Sequence, residues 1–305
     1  MQKEIETLAK PDFEQNFFCL KDRYAGQYGL YDGKAGLCMG AFLMHRNTDE
    51  TAWKEEAMCL LDEVCENIGT VSQVTFASGL SGIGWALEWI VQNNFVEANT
   101  DDVLESLDDE LFKAIIYSKT ENLSLETGTM GLALFFYKRL MARNPYPPRY
   151  RNVYLIECLV LLVDNIHNEL LRQEDALLNS AKPQDIKVIA QALVFASLIE
   201  PLRINHEKAK TIIKAIFKFI HTTSQTTAAS TNSIYEPLWQ ARTTAACILK
   251  GSHYSFNNMP ISNPSYNYLT AEKGFAGEKD GVYSLLSKTL RHEYGNWKEA
   301  WLHFF

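Results

Sequence analysis

The chain has 305 residues, 47% hydrophobic and 22% charged, the profile of a globular protein of one large domain or two small ones. Its formal net charge of -8 argues against nucleic acid or an anionic membrane as the main partner, because both require a basic surface. The opening "MQKEIETLAKPDF" is charged and carries no apolar signal core, and the longest apolar run, "CLVLLV" at 158–163, is too short to span a bilayer, so a cytoplasmic location is expected.

The first element in chain order is a glycine turn, "YGLYDGKAGL", with Gly33 and Gly36 three residues apart. A polar turn, "NTDE" at 47–50, offers Thr and Asp as N-caps to an amphipathic helix with Trp53, Ala57, Leu60, Leu61, Val64 and Ile68 at helical spacing. The pattern then returns. "FASGLSGIGWALEWI" at 76–90 repeats the turn with Gly79 and Gly82 and continues into a helix that is apolar nearly all round, as a helix buried on every side would be. "NTDD" at 99–102 precedes a second amphipathic helix carrying Val103, Leu104, Leu107, Leu111, Phe112 and Ile115. Gly128 and Gly131 open a third copy in "LSLETGTMGLALFF", whose apolar helix covers Met130 to Tyr137. "RNPYPPRY" (143–150) reads as a proline-stiffened connection, "YLIECLVLLVDNI" and "KAKTIIKAIFKFI" as further amphipathic helices, and "TTSQTTAASTNS" (222–233) as a polar surface loop. The stretch 252–267 is loop-like, and Gly274 and Gly277 form a fourth copy.

The first glycines of the four copies lie 46, 49 and 146 residues apart, and the last gap is close to three periods. Two degenerate copies fill it: "NSAK" at 179–182 before "DIKVIAQALVFASLI", and "WQAR" at 239–242 before "TTAACIL". A period of this size marks an array of supersecondary units. No strand run interrupts the helices, so the chain is expected to be all-α, a single domain over 1–305, with apolar helices as an inner ring and amphipathic ones outside. Converging inner helices need residues without a Cβ where their starts approach, which gives the glycines a structural task. A nucleotide loop would need a preceding strand and a Lys-Ser/Thr pair, and neither occurs. The six cysteines (Cys19, Cys38, Cys59, Cys65, Cys158, Cys247) show no CxxC pair, and most fall in apolar helical patterns where free buried thiols are expected.

These residues resemble the lanthionine synthetase C-like family. The similarity rests on "ASGLSGIGWALEWI" followed by "NNFVEANTDDVLESLDDELF", with "YGLYDGKAGL", "LSLETGTMGLALFF" and "KGFAGEKDGVYSLLSK" in support, and covers residues 25–141 and 268–290. The resemblance implies an α/α toroid of six or seven helix pairs, with inner helices beginning at G-x-x-G turns. It also implies peptide chemistry: family members cyclise dehydrated peptides through a zinc-bound thiolate, the metal held by a Cys in a W-C-x-G turn and by adjacent Cys and His in a C-H-G turn.

The sequence departs from that pattern at the metal. The counterpart of the tryptophan turn is "LWQARTT", where Gln240 follows Trp239, and Cys247 lies further along an apolar stretch. No Cys-His dipeptide exists in the chain, and the family's A-H-G turn has no counterpart in "LLNSAKPQD". Thr75 and Ser124 stand four residues before the second and third glycine turns, where the family carries aspartate. Seven histidines are dispersed singly, and His253 with Cys247 is the best remaining pair. No metal and no cofactor is therefore expected.

Three readings stay open. One is a zinc-less family member that binds a precursor peptide or a peptide-modifying enzyme without cyclising; a second is a cyclase with relocated ligands. The third is a carbohydrate-active α/α-toroid hydrolase, which would need two carboxylates about 5–9.5 Å apart, with Asp32 and Glu126 as candidates. For any of them, side chains beside the turns are expected to line the central opening: Tyr31, Asp32, Ser78, Trp85, Glu126, Thr127, Gln240 and Arg242, with core packing the competing role for Trp85.

Overall fold

Runs that are apolar on every side need neighbours on every side, and this sorts the helices into two layers. The structure is a computed structural model that describes residues 10–117, 121–146, 149–172, 182–226 and 235–249. Its helices in chain order are α1 (Lys10–Arg23), α2 (Lys34–Thr48), α3 (Thr51–Asn67), α4 (Leu80–Gln92), a short α5 (Thr100–Val103), α6 (Glu105–Tyr117), α7 (Thr129–Met141), α8 (Arg151–Arg172), α9 (Pro183–Ile199), α10 (His206–Thr226) and α11 (Glu236–Ile248). Among the described residues the only β feature is an isolated bridge between Tyr28 and Gly33. The fold is all-α.

The inner layer runs α2, α4, α7, α9, α11, each packed on the next, while α3, α6, α8 and α10 cover α2, α4, α7 and α9 from outside. This alternation is that of an α/α toroid. In α4 every residue from Ser81 to Ile90 is buried, and in α9 every residue from Ile189 to Ile199. The outer helices bury one stripe only, such as Trp53, Ala57, Leu60 and Val64 on α3. Gly274 and Gly277, the fourth copy, lie outside the described residues, as does the stretch 252–267.

Three local expectations change. In "NTDE", Asp49 ends α2 in the left-handed region (φ 58°) rather than starting α3, whose N-cap Glu50 makes no side-chain capping bond. In "NTDD" the cap is Asn99, whose side chain accepts from the Asp101 backbone N–H at 3.2 Å, because Thr100 is drawn into the core. The start of "TTSQTTAASTNS" belongs to α10, which runs to Thr226. Cysteine burial is also more divided than its pattern suggests: among described side chains Cys38 and Cys158 are buried, but Cys19, Cys59 and Cys65 are exposed, and all five are free.

The glycine turns explain the start of the inner helices. Gly33, Gly79 and Gly128 are the N-caps of α2, α4 and α7, all in extended conformation and without side-chain caps. The segment before each helix folds back over its first turn, so that Leu80 N–H donates to the Gln73 carbonyl and Thr129 N–H to Asn122, the same seven-residue reach. A Cβ on Gly79 would come within 2.4 Å of the Gln73 oxygen, and one on Gly82 within 1.8 Å of the Phe76 oxygen. The third copy is the same: Gly128 faces Asn122 at 2.2 Å and Gly131 faces Leu125 at 2.3 Å. At these four glycines the obstacle is a backbone carbonyl six residues upstream, which no rotamer change can move.

At the other end of α4 and α7 lies an ionic cluster that hydropathy patterning does not reveal. Arg139 on α7 is 1% exposed and Glu88 on α4 fully buried. The guanidinium donates from Nη1 to Glu88 Oε2 at 2.6 Å and from Nη2 to Asp108 Oδ2 at 2.6 Å, with Nε at 3.1 Å from both Asp108 oxygens. Asp101 Oδ1 stands 3.3 Å from Arg139 Nη2 and pairs with Arg151, whose Nη2 also donates to the Arg139 carbonyl. Thr100 donates to Glu88 Oε1 at 2.8 Å. Three carboxylates thus share two guanidinium groups. Burial pushes the Asp108 carboxyl above its usual range, with partial relief from its bonds to Arg139.

Three measurements follow from this architecture. Gly82→Ala is expected to cost about 3 kcal/mol, at the upper end of overpacking, because the clash is with backbone. Gly69→Ala, where nothing lies within 4 Å, is the control and is expected to change stability by about 0.5 kcal/mol or less in urea unfolding. Arg139→Met strands Glu88 and Asp108 and is expected to cost about 3–5 kcal/mol. The folded state also holds the Asp108 proton more tightly than the unfolded chain does. Its contribution is therefore complete below the ordinary carboxylate pKa and lost as pH rises through the raised, folded value. The stability of the native chain relative to Asp108→Asn is thus expected to increase on acidification from neutral pH, measured as urea midpoints across pH.

Candidate functional site

The three glycine turns sit side by side and are tied together through their backbones. Tyr31 N–H donates to the Ala77 carbonyl at 2.8 Å, and Ala77 N–H donates to the Glu126 carbonyl at 2.9 Å. Each of these residues lies two positions before the first glycine of its turn. The belt therefore repeats one bond per unit, as a rotationally repeated loop should. The sequence has no G-x-x-G before α9, and there Leu125 N–H, one residue before Glu126, donates to a side chain, Gln191 Oε1 on α9, at 3.3 Å. Gln191 carries no signal in the glycine spacing, and its only trace in the sequence is an amide inside an otherwise apolar run.

The belt gathers most of the residues expected at the opening. Tyr31 is buried at 8% exposure, its ring edge-on to Phe76 at 6.1 Å. Asp32 is half-buried, and Ser78 and Thr127 are exposed. Thr127 is held by its own turn: its hydroxyl accepts from Asn122 Nδ2 at 2.8 Å and lies 3.0 Å from Ser124 Oγ. Ser124 and Thr75, where the resemblance implies aspartate, use their carbonyls to accept from the N–H groups of Gly128 and Gly79. Glu126 is half-buried and forms an ion pair with Lys187 of α9.

Two residues depart from the expected placement, and Trp85 takes the core role. Trp85 is 1% exposed, with Phe76 edge-on at 5.9 Å and Lys138 Nζ 5.7 Å from the ring centroid. It falls on a face of α4 enclosed by neighbours, so it packs in the core rather than lining an opening. Gln240 and Arg242 are half-buried within α11, not beside a turn, because the helix begins at Glu236 and carries "WQAR" inside it. Burial lowers the pKa of Arg242.

This placement bears on the zinc the resemblance implies. Gln240, in the nearest sequence counterpart of the family's tryptophan turn, is a neutral amide within a helix and two residues from a cation, a donor set that does not suit a thiolate zinc centre. Among the described residues no group of three His, Cys, Asp or Glu is arranged to hold a metal ion. His253 lies outside the described residues, and so does the side chain of Cys247. No step is derived through zinc.

Among the described residues, no helix is long and apolar enough to cross a membrane. No curated protein matches the chain. The family model of the lanthionine synthetase C-like proteins matches residues 13–138, the segment that contains most of α1, α2 to α6, nearly all of α7, and the three glycine turns. Turn register, backbone belt and family model agree over residues 13–138, where the chain is similar to the lanthionine synthetase C-like proteins.

Proposed function

We propose that this protein binds a peptide at the rim formed by its glycine turns, as an accessory in the maturation of ribosomally made peptides, and does not itself form thioethers. Gln240 carries the proposal. Where the family places a metal-bound thiolate, this chain has an amide that matches it in neither charge nor softness. The adjacent Cys and His of the next family turn have no counterpart anywhere in the sequence. Loss of one ligand would leave a crippled cyclase; loss of all of them leaves the scaffold.

The scaffold still suits a peptide. The N-termini of α2, α4 and α7 come together at the belt, and their positive dipole ends favour carbonyl oxygen and carboxylate. Exposed hydroxyls at Ser78 and Thr127 and the half-buried carboxylate of Asp32 supply hydrogen-bonding groups beside them. A carbohydrate hydrolase is the poorer reading. Its acid would have to be one of two carboxyls near the turns, and the Glu126 carboxylate is already engaged by the Lys187 ammonium.

Two assays on the purified full-length chain test the proposal. Plasma emission analysis is expected to find no stoichiometric zinc, and a dehydrated, cysteine-bearing peptide is expected to close no faster with the protein than without it. The same peptide, fluorescently labelled, is expected to bind saturably, with affinity reduced at least tenfold by Thr127→Arg. One zinc per chain, lost in Cys247→Ser, together with accelerated ring closure, would establish a cyclase with relocated ligands instead.

A further inference from the structure

At the end opposite the glycine belt, inner helices stop and outer helices start. There α4 closes at Gln92 and α7 at Met141, while α5 begins at Thr100 and α8 at Arg151. Five of the eleven large hydrophobic side chains exposed among the described residues fall at this end: Val103, Met141, Tyr146, Tyr150 and Val153, each between 49% and 84% exposed. The buried ionic cluster beneath holds their elements together. Arg151 pairs with Asp101 of α5, the Arg143 N–H donates to Gln92 Oε1 of α4 at 3.0 Å, and the Tyr154 hydroxyl donates to the Asp108 carbonyl of α6 at 2.9 Å. The connection from α7 to α8 is therefore anchored on both sides, with its tyrosines turned outward.

Gathered apolar exposure of this kind marks an interaction surface, and Tyr, Met and Arg are the side chains that interfaces favour. Charges of both signs stand around it. Arg143 and Arg149 are exposed on the connection, and Glu105 and Asp109 are exposed on α6. None of these four side chains forms an ion pair among the described residues. A one-signed surround would call for a partner of opposite charge, whereas a surround of both signs complements itself under a two-fold rotation. An anionic membrane would meet the two carboxylates and a net charge of -8. We propose that this end of the ring is a homodimer interface. Tyr150 and Val153 of two copies pack around the two-fold axis, and the Arg143 and Arg149 side of each copy faces the Glu105 and Asp109 side of the other. Both glycine rims then lie at the far ends of the dimer, so the inference stands apart from what the rims bind.

Sedimentation velocity of the full-length chain over a range of concentrations tests the interface. A reversible dimer is expected. Tyr150→Asp and Val153→Asp are each expected to weaken it at least tenfold without lowering Tm, because both side chains are exposed in the single chain and an acid suits the start of α8. Arg143→Glu with Arg149→Glu makes the whole surround acidic, and Glu105→Lys with Asp109→Lys makes it basic. Each double variant alone is expected to be monomeric, since like charges then meet across the axis. An equimolar mixture of the two is expected to form a heterodimer, because every charge again faces its opposite. A native chain that stays monomeric up to its solubility limit overturns the proposal. So does a dimer indifferent to Val153→Asp, or a mixture of the charge variants that stays monomeric. A monomeric chain whose Tyr150→Asp variant no longer binds the labelled dehydrated peptide would assign the patch to that peptide and overturn the dimer.

Discussion

The starts of α4 and α7 depend on one close approach, a backbone carbonyl resting where the Cβ of a glycine would be. At Gly79 and Gly82 the carbonyls of Gln73 and Phe76 occupy that place, and at Gly128 and Gly131 those of Asn122 and Leu125 do. Because the fold-back is so tight, the loop can hydrogen-bond the first helical turn and still present its outer edge to the next loop. The belt from Tyr31 through Ala77 to Glu126 is a product of that geometry. The loops thus do two tasks with one conformation: they cap an inner helix and they join the units. An N-cap side chain is unnecessary, and α2, α4 and α7 have none.

Much of this was legible in the sequence because glycine spacing and hydropathy are strong periodic signals. The G-x-x-G copies and the apolar run from Ile83 to Ile90 announced both the turns and the layer in which α4 lies. The apolar run of α9 was equally legible, although its copy of the turn had decayed. Boundaries fared worse. "WQAR" looked like a decayed turn because an apolar stretch follows it, but α11, with Pro237 in its first turn, starts three residues earlier at Glu236. The cap in "NTDD" moved to Asn99 because Thr100 finds a better partner in Glu88, a long-range contact that local propensity does not encode.

The candidate site was legible only in part. Turn-adjacent positions such as Ser78 and Thr127 are exposed as their location implies, whereas Trp85 is set by its helical phase and not by its nearness to Gly82. Gln191 was invisible as a functional residue, since it sits sixty or more residues from the loop it supports and belongs to no motif. Glu88 and Arg139 illustrate the same blind spot. Each is a single charge in an apolar helix, and only when α4 and α7 are placed side by side do the two become an ion pair at 2.6 Å.

The positions of the belt and of the ionic cluster have a consequence for cooperativity. The seam between α4 and α7 is fastened at both ends, by the Ala77–Glu126 bond at the helix starts and by the Glu88–Arg139 pair eleven and thirteen residues further along. The seam between α7 and α9 has the Gln191 amide and the Lys187–Glu126 pair toward one end, and no ion pair between the two helices near Arg139 among the described residues. An array of repeats parts where the coupling between neighbours is weakest. Across the second seam the outer helices α8 and α10 are themselves held by the Lys208–Asp164 ion pair at 2.7 Å, so slow exchange of amide hydrogens is expected to continue past α8 into α9 and α10.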